Sequence, residues 1–79
     1  MEVTPQDVVK VIQKIKTVEV FDYGYDIRLK EDMGLDSLDY ITALFEFERA
    51  FNIEIPQNFE VPETLNQLTK EINKLCKTT

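Results

Sequence analysis

The chain reads as an all-α protein, a small antiparallel bundle of three main helices and one short one, with a long loop between helices 1 and 2. Three observations predict it. Three separate stretches repeat apolar residues at helical spacing behind a capping signal. Only two Gly and three Pro are present, too few breakers for a turn-rich β fold. At 79 residues the chain suits a single small domain, 1–79, with one modest core.

Helix 1 is expected over residues 5–16. Thr4 is its N-cap, Pro5 takes the first helical position, and Asp7 follows three residues past the cap. Val8, Ile12 and Ile15, with Val9 and Val11 beside them, form its apolar face. Lys10, Lys14 and Lys16 crowd the far half, where cations suit the helix dipole. From Thr17 to Asp36 no helical period persists. Tyr23-Gly24-Tyr25 breaks any strand, and Val18, Val20, Phe21, Ile27 and Leu29 offer apolar anchors. The alternation Val18-Glu19-Val20 leaves a short strand open as an alternative.

Helix 2 is expected from Ser37 to Phe51, with Tyr40, Ala43, Leu44, Phe47, Ala50 and Phe51 on its core side. Asp39, Thr42, Glu46 and Arg49 form the opposite polar stripe, flanked by Leu38 and Phe45. Those two are either peripheral core residues or docking residues, and the helical wheel does not decide between them. Pro56 ends an extended exit, and residues 57–61 are expected to make one short helical turn. Thr64-Leu65-Asn66-Gln67 is a capping box opening a last helix, with Leu65, Leu68, Ile72 and Leu75 on one face. Phe47, Phe51, Leu68 and Ile72 are expected to be buried together.

An apolar content of 43% with 30% charged residues excludes a disordered chain. No stretch is apolar enough to span a bilayer and no basic-then-apolar leader opens the sequence, so a cytoplasmic protein is expected, not embedded in a membrane. The single cysteine, Cys76, forms no internal disulfide and has no His beside it for a metal or catalytic pair. The net charge of −6 is unevenly placed. Residues 31–63 carry Glu31, Asp32, Asp36, Asp39, Glu46, Glu48, Glu54, Glu60 and Glu63 against Arg49 alone, a net −8, leaving +2 for the two ends. That sign disfavours nucleic acid and favours basic protein surfaces.

The chemistry-bearing stretch is Asp32-Met33-Gly34-Leu35-Asp36-Ser37-Leu38-Asp39. Asp36 is a helix N-cap, Asp39 stands at capping-box spacing, and Gly34 supplies a positive-φ position before the cap. Ser37 is thereby displayed in the first turn with acids on both sides. The chain has no His, and positions 35 and 39 are Leu and Asp rather than the glycines of a hydrolase elbow, so Ser37 is not a catalytic nucleophile. It reads as an acceptor for chemistry done by another protein. Asp26, Glu31, Asp32 and Asp36 lack the alternating ligands and closing Glu of a calcium loop, and no dedicated metal site is expected.

Gly34-Leu35-Asp36-Ser37-Leu38 resembles the phosphopantetheine attachment motif of acyl carrier proteins. The similarity continues through Ile41, Phe51 and the exit Asn52-Ile53-Glu54-Ile55-Pro56, and more weakly over the rest of the chain. It implies a freestanding, monomeric, non-enzymatic carrier. Ser37 would hold 4′-phosphopantetheine within a site of Gly34, Leu35, Asp36 and Leu38 and shuttle acyl thioesters in fatty-acid, lipid or polyketide synthesis. The implied partners are a phosphopantetheinyl transferase and acyl-loading, synthase and acyltransferase enzymes with basic docking surfaces, meeting Leu38, Asp39, Thr42, Phe45, Glu48 and Arg49. Thr42 and Arg49 stand where such carriers commonly have acids, which favours specialised partners. The rings of Phe47 and Phe51 also fill core space that an aliphatic core would yield to a sequestered chain. The alternatives are a dedicated aminoacyl, peptidyl or secondary-metabolite carrier and, from another class, an unmodified helical adaptor.

Overall fold

The computed structural model describes residues 2–18 and 26–77, the side chain of Lys77 excepted. Three helices follow in order, α1 (Pro5–Ile12), α2 (Ser37–Phe51) and α3 (Leu65–Lys77), and α1 packs against both others. The protein is a small all-α bundle. No strand occurs among the described residues; an isolated antiparallel bridge pairs Arg28 with Thr64. Val20, Phe21, Tyr23-Gly24-Tyr25 and most of the alternative strand lie outside the described residues.

Each helix begins where its cap dictates. Thr4 accepts from the Asp7 N–H, and the Asp7 side chain accepts from the Thr4 N–H. Helix α1 is shorter than the expected 5–16, ending at Ile12. The chain then tightens, with Lys14 N–H donating to Val11 O and Ile15 N–H to Ile12 O, three residues back. Helix α2 closes at Asn52, which adopts the left-handed conformation (φ 53°) and donates its N–H to Glu48 O. At α3 the Thr64 hydroxyl accepts from the Gln67 N–H. The short fourth helix expected at 57–61 does not form: a turn at Gln57 and Asn58, closed by Phe59 N–H on Pro56 O, is followed by irregular chain up to Pro62, which has no N–H to donate.

The core draws on every segment. Val8, Val9, Val11 and Ile12 of α1 are buried against Ala43 and Phe47 of α2 and Leu65, Leu68 and Ile72 of α3. Ile27, Leu29, Met33 and Leu35 of the long connection are buried too, Leu29 as fully as any helix residue. Backbone bonds fasten that connection to the start of α3, Leu29 N–H to Glu63 O (2.9 Å) and Leu65 N–H to Ile27 O (2.7 Å). The Asn73 amide clasps Val3 in the same manner, donating to its carbonyl and accepting from its N–H, both at 2.8 Å.

Two expectations about α2 change. Ala50 is exposed rather than on the core side, and Phe51 is only half-buried. The reason is the left-handed exit at Asn52, which ends the helix before its last turn is covered. Phe47 carries the core contact, stacked on Phe51 with ring centroids 6.0 Å apart. Phe47→Ala should therefore cost about 3–5 kcal/mol, and Phe51→Ala clearly less, because only the first empties a closed site. Denaturant titration of both variants checks the order; equal losses would place Phe51 deeper than it lies here.

Candidate functional site

The site is built by one turn and one cap. Residues 28–33 wind into a turn in which Asp32 and Met33 N–H groups donate to Arg28 O. Arg28 pairs with Glu31 and with Asp32 (3.3 Å) across that turn. At Gly34 the backbone turns left-handed (φ +73°), and Leu35 N–H folds back onto Leu29 O. A Cβ at position 34 would lie 3.9 Å from Lys16 Nζ, an ordinary contact, so a substitution there is strained by the dihedral angle and not by crowding. Leu35 then buries its side chain in the core. This anchor fixes where Asp36 leaves the surface to start α2.

Asp36 and Asp39 cap each other. The Asp36 carboxylate accepts from the Asp39 N–H (2.9 Å), and the Asp39 carboxylate accepts from the Asp36 N–H (3.1 Å). The hydroxyl of Ser37, the first residue of α2, makes no hydrogen bond among the described residues, and Ser37 is exposed. Its position fits a bulky covalent substituent, since nothing needs to move and no bond is lost. The Asp39 carboxyl is held below the usual carboxylate range, first by the Asp36 N–H and then by Lys16 Nζ at 3.3 Å.

Past Ser37, α2 turns an apolar stripe to solvent. Leu38 is 74% exposed, Ile41 54% and Phe45 63%. Ile41 is a member of this stripe that the sequence reading did not assign to it, although 38, 41 and 45 fall at i, i+3 and i+7 on one helix face. Thr42 lies exposed between them with its hydroxyl bonded back to Leu38 O (3.0 Å). Arg49 is highly exposed and pairs with Glu46 at 3.5 Å. Glu48 is half-buried, and its carboxylate accepts from the Ile55 N–H (2.9 Å), which ties the exit segment to α2. Asp39 likewise spends its carboxylate inside the fold. Of the acids expected on the docking face, both are already engaged within the chain.

Beneath this face, Leu29, Leu35, Tyr40, Leu44, Phe47 and Leu68 line a small apolar cavity of about 10 Å³, room for roughly one water-sized sphere. No group of three or more His, Cys, Asp or Glu is arranged to hold a metal among the described residues. No helix is long and apolar enough to cross a membrane among them either.

Acid pH should expose the cap. Asp7, Asp32 and Asp39 all bind protons less readily folded than unfolded, held down by the Thr4 N–H, the Arg28 side chain and the Asp36 N–H respectively. Below the usual carboxylate range the unfolded chain takes up more protons, so stability is present above that range and lost as pH falls through the lowered values. Thermal melts from neutral to acid pH should show this slope, and Asp39→Asn should flatten part of it. A variant with the wild-type slope would show that the Asp39 contacts do not survive in solution.

The phosphopantetheine attachment site family matches residues 6–72. An acyl carrier protein of Phytoplasma australiense is 39% identical over 64 residues, 67% of this chain and 84% of the relative. One from Amoebophilus asiaticus is 34% identical over 70 residues, 87% of this chain and 88% of the relative. No solved structure matches the chain. With the family match spanning most of its length, the chain belongs to the acyl carrier proteins of the phosphopantetheine attachment family, which bear a covalent 4′-phosphopantetheine and are carriers rather than enzymes.

Proposed function

We propose that Ser37 is the attachment residue and that the stripe Leu38, Ile41 and Phe45 receives the enzymes that load and use the arm. The observation that carries this is the exposed hydroxyl, unbonded among the described residues, at the first residue of a helix whose capping is done by its neighbours. Gly34, Leu35 and Asp36 set the direction from which the serine is approached. With no His in the chain, the proton lost from the Ser37 hydroxyl passes to a base on the transferase. The group supplies a thiol on a flexible arm, where acyl cargo is held as a thioester.

The partners proposed are a phosphopantetheinyl transferase, followed by acyl-loading, synthase and acyltransferase enzymes of lipid or polyketide synthesis in a reducing cytoplasm. Their basic surfaces meet a chain acidic through its middle. Arg49 favours a specialised set. It puts a positive charge at the far end of the stripe, and Glu46 is drawn to it rather than left for a partner.

Ser37→Ala should fold as the wild type does yet gain no mass on incubation with coenzyme A and a transferase, read by intact mass spectrometry. Modification of that variant would place the attachment elsewhere. Arg49→Glu should raise the rate of transfer from a general fatty-acid synthase enzyme and make it more salt-sensitive, while Phe45→Ala should slow transfer to the native partner with little change in melting temperature. An Arg49→Glu variant with wild-type rate and salt dependence would reduce Arg49 to a solvated surface residue.

A further inference from the structure

Lys16 lies just past the end of α1, eighteen residues before Gly34, yet its ammonium reaches the serine-bearing segment at two points. Nζ donates to Gly34 O at 2.6 Å and to the Asp39 carboxylate at 3.3 Å. One acceptor precedes Ser37 and the other follows it, so a single cation ties both ends of the stretch that displays the hydroxyl. The two points are the ones that most need fixing. Gly34 is the left-handed position about which the connection turns, and Asp39 is half of the reciprocal cap. Lys16 is 40% exposed, and Met33 and Leu35 already anchor the connection in the core, so folding does not depend on this contact.

We propose that Lys16 is a positioning residue for the modification of Ser37: it holds the Gly34 turn and the α2 cap together, so that the free chain already presents the hydroxyl in the geometry the transferase binds. The proposal rests on the reading of Ser37 as the attachment residue. Losing the tie lets the segment sample other arrangements, and a partner that binds only one of them sees its apparent affinity lowered by the fraction populated. The lowered Asp39 carboxyl agrees with the contact, Lys16 being among its causes after the Asp36 N–H. Net charge acts in the opposite sense. Removing a cation makes the chain more acidic, which by steering alone would strengthen its encounter with a basic transferase.

The test uses the unmodified chain with coenzyme A and a purified transferase, following mass gain at varied carrier concentration for wild type, Lys16→Met and Lys16→Arg. Lys16→Met should raise KM for the carrier roughly threefold, the range of a partly exposed ion pair, with kcat unchanged. Lys16→Arg should restore most of the wild-type value. Hydrogen exchange at the Leu35 and Asp39 amides should quicken in Lys16→Met, with melting temperature nearly unaltered. An unchanged KM in Lys16→Met, or a loss confined to kcat, overturns the proposal while leaving the attachment residue in place. No mass gain in the wild-type chain overturns the attachment reading, and this proposal with it.

Discussion

The first turn of a helix presents backbone N–H groups that need acceptors, and the way α2 satisfies them decides what Ser37 can be. A serine near a helix start commonly gives its own oxygen to that task. Here Asp36 and Asp39 take it instead, each accepting from the other's amide. The hydroxyl is left without structural duty at a point where the backbone is well held. Moving the acids by one residue would draw the serine into the cap. Much of the remaining fold, the Gly34 turn, the buried Leu35 and the strap from Lys16, serves to deliver this cap to the surface in one orientation.

What could be read from the sequence was local. The three N-terminal caps, the span of α2 and the apolar face of α3 depend on residues three or four positions apart, and pattern alone reveals them. The long connection shows the limit. Its anchors Ile27 and Leu29 are visible as apolar residues, but its bonds run to Glu63 and Leu65, and nothing at residues 27–29 announces them. Lys16 was legible only as a cation suited to a helix end, because its partners lie eighteen and twenty-three residues away. Ala50 was misjudged because the wheel knows a residue's angle and not whether anything lies opposite. Ile41 has the right spacing to join Leu38 and Phe45, but spacing alone does not say whether the face they share is covered.

Helix α2 has an uneven division of labour. It commits Ala43 and Phe47 fully to the core and leaves three large apolar side chains in water, while the connection buries Val18, Ile27, Leu29, Met33 and Leu35. Tyr40, Leu44 and Phe51 add partly buried contacts to the core. Its ends are fastened besides, by the buried Leu35 at the start and the Glu48 carboxylate on the Ile55 amide at the finish. Fixing the ends leaves the outward face free of structural obligations.

The cavity behind Tyr40 has a further consequence, for the economy of whatever the arm carries. With room for about one water-sized sphere, it admits a hydrocarbon tail only by displacing side chains, Phe47 first among those lining it. Each methylene withdrawn from water returns about 0.8 kcal/mol. Reopening a packed aromatic site costs several times that, on the order of 3–5 kcal/mol by analogy with core truncation. As packed, the core leaves no room for an acyl chain, and a guest larger than a water would have to displace Phe47 or its neighbours.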